Sequence, residues 1–353
     1  KRQTVYDVGC WEYAPYQTIV KSIGTSGRDY STTQAWEDAA PTNLVIQNII
    51  WRGECYNDSE FTGNLIIGGS TADSSCYKHL TAAKGHSFVD NVNVSDSPLR
   101  YNRASGVGFR IVGNYNVMLT VQSGEYVKID RLQYHYDSTY GSNYYPMWSL
   151  VTSGEFSSLI LQNRRTNIGA INLASGTYRN CIFLSTGTTI NAFINASPGV
   201  KLYNCTIARA ANVATGTSAI AIGTGAAYTI KNCAIFGFTN VFNGTGTISA
   251  NNCFTNGTTI YTGFNASTYA AAGFKGNTLE NIDYRITKDS ALVNAGAAIP
   301  TENLYDIIGT KRGQDTGQNL SVPAGGRYDV GCWEYVTESL ATPVNLIKST
   351  MVR

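Results

Sequence analysis

Charge is scarce in this chain. Only 14% of its 353 residues are Asp, Glu, Lys or Arg, against about 25% in an ordinary soluble domain, and the 26 basic residues are scattered instead of gathered into a stripe. A protein that neutralises a row of phosphates needs such a stripe, so nucleic acid is not an expected partner. No run approaches the ~20 apolar residues of a membrane-spanning helix, and no span is expected. The residues after Lys1 lack the basic, apolar and small-residue succession of a signal peptide, so export would require a processing boundary or cell lysis. Histidine is limited to three residues, and the eight cysteines form no Cys-x-x-Cys or Cys/His cluster with metal-ligand spacing. Neither a metal nor another cofactor is expected.

Glycine (35 residues) and tyrosine (23), with abundant Ser, Thr and Asn, predict a neutral, hydroxyl-rich surface. Cys55 and Cys76 stand in polar, turn-like surroundings that suit a disulfide. Four other cysteines share a different setting. Asn-Cys closes the short β-rich runs TYRNCIF, VKLYNCTI, YTIKNCAIF and ISANNCFT, with Asn180, Asn204, Asn232 and Asn252 separated by 24, 28 and 20 residues. Periods of this size with irregular insertions mark a solenoid of stacked coils. Within a run the apolar residues alternate, as in Val200, Leu202, then Cys205 and Ile207, and the double step at Asn-Cys suits a bend between two strands of one coil. Asn at each bend is expected to stack its amide on its neighbours, with Cys181, Cys205, Cys233 and Cys253 filling one internal slot.

The run VKIDRLQ puts Val127, Ile129 and Leu132 in the positions of Val200, Leu202 and Cys205, and the 49 residues from Leu132 to Cys181 leave room for two coils. AINL at 170–173, AIAI at 219–222 and VF at 241–242 supply further faces. Near the start, STTQAWEDAA carries a capping box, Ser31 with Gln34, and Pro41 ends the run. A short helix with Trp36 and Ala39 facing inward would cover the open first coil, whose exposed edge otherwise invites aggregation.

The opening IVKSIGTSGRDYSTTQAWEDA and the closing DYRITKDSALVNAGAA, DIIGTKRG and RYDVGCWEY resemble the ends of the pectin-lyase-like superfamily of right-handed parallel β-helices, which includes secreted bacterial and phage tail-type proteins. The resemblance spans about residues 17 to 335. It implies an all-β fold, a right-handed parallel β-helix with a short N-terminal capping helix, and it transfers little function, because enzymes, adhesins and tail proteins share the scaffold. The closing "D-x-x-G-x-x-R … D-[IV]-G-x-x-E" pattern implies the end of the solenoid, with Val330 inward, Trp333 covering the end and Asp329 bonded to amides of the closing turn.

TVYDVGCWEY at 4–13 nearly repeats RYDVGCWEY at 327–335, with Cys10 and Cys332 separated by 322 residues. Residues 1–16 are therefore expected to form an N-terminal strand repeating the closing motif, residues 17–335 the β-helix, and residues 336–353 a C-terminal tail or linker. Val8, Cys10, Trp11, Tyr13 and Trp333 are the candidate assembly residues. A homo-oligomer or head-to-tail filament, an upstream module of a longer chain, and a strand folded back on its own first coil all remain open.

Catalytic signals are sparse. In DRLQYHYD, Asp130, His135 and Asp137 are the nearest candidates for an oriented base, and a solvated His135 between two turn-forming Asp residues is the weightier alternative. Asp90, Asn93 and Asp96 lack the Gly and Glu of a calcium loop and read as a turn. The aromatic insertion YHYDSTYGSNYYPMWSL places Tyr134, Tyr136, Tyr140, Tyr144, Tyr145 and Trp148 where they could stack on sugars, or pack their loop on the solenoid or a subunit. The expected function is an extracellular or virion-surface structural or adhesion rod, such as a tail-fibre component or secreted filament subunit, with a cell-surface polysaccharide as candidate partner. The alternative is a polysaccharide lyase or glycoside hydrolase near Asp130 and His135.

Overall fold

The computed structural model describes residues 16–90, 98–112, 117–137, 148–150, 154–164, 171–187, 192–211, 216–299, 305–312 and 328–335. The fold is all-β, a parallel solenoid of three sheets with nine, eight and seven strands. The chain visits the sheets in rotation. Val127–Asp130 lies in the first sheet, Gln133–Asp137 in the second and Trp148–Leu150 in the third, and Gly154–Ser157 then pairs in parallel with Val127–Asp130 to begin the next coil. The runs AINL, AIAI and VF fall on third-sheet strands Ile171–Leu173, Gly216–Ile222 and Phe238–Asn243.

Register is set by repetition of the inward positions. Ile129, Phe156, Tyr178, Leu202 and Ile230 follow one another across the first sheet and all are buried. Strands ~4.8 Å apart bring like rings to stacking distance. Phe156 and Tyr178 stack at 4.7 Å and 8°, and Phe61, Phe109 and Tyr134 form a column with 4.9 and 4.8 Å steps.

The bend between first and second sheets explains the Asn-Cys repeat. Asn180, Asn204, Asn232 and Asn252 have φ of 50–53°, as do Arg131 (56°) and Ser158 (51°) in the preceding coils. Asn tolerates this left-handed conformation through its short polar side chain. The following residue, Leu132, Leu159, Cys181, Cys205, Cys233 or Cys253, turns into the core and is fully buried. Two coils thus separate Leu132 from Cys181. Cys205 Sγ lies 3.5 Å from Tyr178 O in the preceding coil, and Cys233 and Cys253 repeat the contact with Leu202 O and Ile230 O. Cys55 and Cys76 are both free thiols, so the disulfide expected of them is not formed.

The Asn amides serve a purpose the repeat does not reveal. They hold the C-terminal segment: Asn252 Nδ2 donates to Ala295 O, Asn232 to Ala297 O, Asn204 to Asp329 O and Asn180 to Tyr305 O, at 2.9, 2.7, 3.2 and 2.6 Å. A side-chain amide contact of the expected kind joins Asn195 Nδ2 to Asn172 Oδ1 on the third sheet, at 3.0 Å.

The C-terminal motif does not complete the last coil. It turns back across earlier ones, where Gly331 N bonds Asn232 O and Cys332 N bonds Thr206 Oγ1. The reason is the outer face of the second sheet. Ile160, Ile182, Leu184, Ala208, Ala234 and Phe236 project away from the main core and need a cover, which Ile282, Tyr284, Ile286, Leu292, Ile307, Val330, Cys332 and Trp333 provide. Val330 is buried and Asp329 accepts from Asn294 N and Tyr335 N, as the motif predicts.

At the other end, Thr32 and not Ser31 caps helix Thr33–Asp38, accepting from Ala35 N at 3.0 Å. Gln34 is drawn off to the third sheet, where its Oε1 accepts from Ile66 N. Trp36 is fully buried and Ala39 is exposed; Gly53 leaves the room Trp36 needs, since a Cβ there would stand 2.7 Å from the indole. The inward partner is Glu37, whose Oε1 lies 2.6 Å from Nζ of the buried Lys78. Lys78 also donates to Gly68 O and stands 3.5 Å from Glu125, which ties helix to sheet. Among the described residues no helix is long and apolar enough to cross a membrane.

Candidate functional site

Strand Gln133–Asp137 alternates strictly. Tyr134 and Tyr136 point into the core, each 1% exposed, which removes them from any solvent-side contact surface; Gln133, His135 and Asp137 point outward. His135 is flanked in register by Arg110 and Gln162, and Leu184 follows Gln162 in the next coil. The outer row is thus polar where it is open and apolar where the C-terminal cover lies on it. At that boundary is a cleft of about 510 Å³, lined by Arg100, Tyr101, Asn102, His135, Gln162, Arg164, Thr186, Leu279 and Ile282, a size that suits a small organic ligand.

Two outward glutamines hold one wall. Gln133 accepts from Asn102 N and donates to Asn102 O and Gly106 O, while Gln162 accepts from Tyr101 N. Leu99 anchors the same segment in the apolar cover, and Asn102 caps the short 3-10 turn Arg103–Ser105 by accepting from Ala104 N. The opposite wall comes from the antiparallel pair Phe274–Asn277 and Ile282–Ile286. Backbone amides of the loop are thereby satisfied by strand side chains, leaving Arg100 and Tyr101 at fixed positions.

The charges in the cleft are mostly positive. Arg100 has no ion-pair partner among the described residues, whereas Arg164 and Arg110 share Asp137, at 3.4 and 2.5 Å. Burial alone would raise the Asp137 carboxyl, but the Arg110 bond and the charges of Arg110 and Arg164 hold it below the usual carboxylate range. Burial lowers the His135 pKa against the pull of Asp137, so its ring is neutral near pH 7. Its Nε2 is closed off from solvent and meets no hydrogen-bond partner among the described residues, beneath the Tyr101 ring at 5.0 Å. Tyr101 donates to Glu60 Oε1 at 2.5 Å, and burial with this bond pushes its phenol up.

The three catalytic candidates are split. His135 and Asp137 share one face, but Asp130 belongs to the first sheet, where its Oδ2 lies 2.8 Å from His79 Nε2 and its Oδ1 accepts from Thr81 and Arg131. Burial would raise Asp130, and these partners, His79 foremost, outweigh it and lower its pKa. Asp90 caps a turn, accepting from Gly85 N; Asn93 and Asp96 lie outside the described residues. So do Tyr140, Tyr144 and Tyr145 of the aromatic insertion, the side chain of Trp148, and Val8, Cys10, Trp11 and Tyr13. Trp148 joins the third sheet opposite Leu119 and Ile171. Trp333 is buried in the cover with the Arg285 guanidinium 5.7 Å from its ring.

Arg100, Tyr101, Gln162 and Arg164 were not legible as a site in the sequence. Their grouping needs the register of the coil at 154–164, where Ser158-Leu159 replaces Asn-Cys at the bend. Aligning FSSLILQN with VKIDRLQY on that bend would have set Gln162 beside His135. No family model and no curated protein matches the chain.

Proposed function

We propose that the chain is a surface or fibre protein, extracellular or on a virion, in which a right-handed parallel β-helix of the pectin-lyase-like type displays a cleft for an acidic carbohydrate. The carrying observation is the cleft lining: Arg100, which has no carboxylate partner among the described residues, beside Arg164, with the Asn102 amide and Thr186 hydroxyl beside them. Guanidinium groups recognise carboxylate or sulfate in a fixed fork, and side-chain amides and hydroxyls meet sugar hydroxyls. The right hand is supported by the strong bias of parallel crossovers, about 98% of which turn that way. Helix Thr33–Asp38 packs against the first strands of the stack and fits the role of a cap. The scarcity of charge and the Thr- and Asn-rich exterior suit a rod outside the cell.

A polysaccharide lyase is the second reading, favoured by the neutral His135 beside two arginines, since a neutral imidazole can take the proton next to a uronate carboxyl. Against it stands the closed Nε2 under Tyr101. Asp137, bound to two arginines, and Asp130, on another sheet, do not form the separated carboxyl pair of a hydrolase. Incubation with acidic and neutral polysaccharides distinguishes the readings. The ligand is expected to be recovered intact; unsaturated uronates or new reducing ends would replace the rod by an enzyme.

A further inference from the structure

Residues 6–13, YDVGCWEY, repeat residues 328–335 without a single difference, and the structure shows what each residue of the C-terminal copy does. Tyr328 packs with Tyr203 and Ile299. Asp329 accepts from Asn294 N and Tyr335 N. Val330, Cys332 and Trp333 enter the apolar cover of the second sheet. Gly331 takes φ of 95° over Thr206, where a Cβ would stand 2.8 Å from the hydroxyl. Glu334 accepts from Arg312 at 2.9 Å and from Asp329 N. The receiving socket is equally specific: Arg312 Nη2 donates to Asn180 Oδ1 and Gly331 O, and Asp306 accepts from Glu334 N. A surface segment under no such demand has no reason to carry the same eight residues, three of them Gly, Cys and Trp.

The first copy cannot use the socket of its own solenoid. Tyr13 is four residues from Gln17, which begins the first strand of the first sheet, so it reaches no further than ~14 Å from there at ~3.4 Å per residue. The socket lies at the strands Gly176–Arg179 and Val200–Tyr203, five and six steps along the sheet. At ~4.8 Å per step that is ~24 to 29 Å away.

We propose that residues 7–13 are a second closing clasp, for the socket of another copy of this chain. The two copies then join end to end: the N-terminal segment of one fills the position that residues 329–335 hold in the structure of its neighbour. Between separate molecules the resident clasp has the advantage of its tether, equivalent to roughly millimolar concentration, so exchange is seen when that clasp is weakened. This association is independent of the carbohydrate cleft, whose lining includes none of the clasp or socket residues.

The test uses the full chain carrying Trp333→Ala. Light scattering is expected to show a rise to dimers and longer species, and the double variant Trp333→Ala/Trp11→Ala to return to the mass of the unmutated chain. A labelled peptide of residues 4–13 should bind the Trp333→Ala chain saturably, and a peptide of residues 326–335 should displace it with a potency within about threefold, as identical contacts require. If Trp333→Ala prevents folding, Tyr335→Ala replaces it, because that side chain is only partly buried. Failure of the 4–13 peptide to bind, or association that survives Trp11→Ala, overturns the proposal.

Discussion

A buried thiol and a buried guanidinium mark the two ways this core treats polar atoms. Cys205 faces the carbonyls of Tyr178 and Tyr203 at 3.5 Å, and burial pushes the neighbouring thiols of Cys181 and Cys233 well above their ordinary range. Thiol-labelling mass spectrometry of the native chain should therefore leave Cys181, Cys205, Cys233 and Cys253 unmodified while the denatured chain reacts at all four. Cys205→Ser puts a more strongly solvated hydroxyl into the same slot and is expected to cost about 1–3 kcal/mol in urea unfolding. Arg209 is the opposite case. It is fully buried, Nη2 donates to Gly187 O, and Nε and Nη1 meet no acceptor among the described residues. Burial lowers its pKa. Arg209→Met removes a poorly compensated charge at similar volume, so the urea midpoint is expected to stay level or rise; a fall of more than about 2 kcal/mol in stability would show that the guanidinium is paired.

The C-terminal clasp is the element whose energetics are most exposed to test. Arg312 and Glu334 form a buried ion pair, and removing one strips the other of its direct charge partner. Glu334→Ala is expected to cost about 3–5 kcal/mol and to release residues 328–335 to proteolysis before the solenoid unfolds. The clasp also carries a pH dependence. Burial pushes the Asp306 carboxyl from 3.8 up to about 7, against the pull of Arg312 and the amides of Glu334 and Thr310, and burial with the Glu334 charge raises Asp329. An acid raised in the folded state contributes stability that is complete below its unfolded pKa and is lost as pH rises through the folded value. Clasp stability is therefore expected to fall between about pH 4 and pH 7, and Asp306→Asn to flatten that fall in a thermal scan. Asp130 and Asp137, lowered by their partners, act in the reverse sense and lose their contribution only on acidification below the ordinary carboxylate range.

Much of this element was legible in the sequence as a motif, and its location was not. The resemblance carried by Asp306, Gly309, Arg312, Asp329, Gly331 and Glu334 implies a closing structure, but nothing in the linear chain says that it crosses back over Thr206 and Asn180. That route follows from the outward apolar residues of the second sheet, and these alternate like core residues. The coil period was readable because Asn and Cys repeat at a left-handed bend. Where Arg131 and Ser158 occupy the same bend the repeat is silent, so the register of His135 against Gln162, and with it the cleft, stayed hidden. The sequence places Tyr134 and Tyr136 among the contact residues because an aromatic run looks alike on either face until one strand neighbour is fixed.

At the scale of the molecule, the nine first-sheet strands among the described residues at ~4.8 Å make a stack of ~38 Å, with helix Thr33–Asp38 against its first strands, the clasp over its later coils and the open cleft between cover and loop. Such a body is suited to present a fixed surface, since each coil is held by its neighbours. Arg100→Ala is expected to weaken an acidic oligosaccharide at least tenfold, about 1.4 kcal/mol, without changing the unfolding midpoint. The most direct measurement is a calorimetric titration of the full chain with an oligouronide, followed by recovery of the ligand. Saturable binding that Arg100→Ala and Arg164→Ala both diminish, with the ligand returned at its original length, is the predicted result; no binding, binding indifferent to both arginines, or a shortened ligand would contradict it.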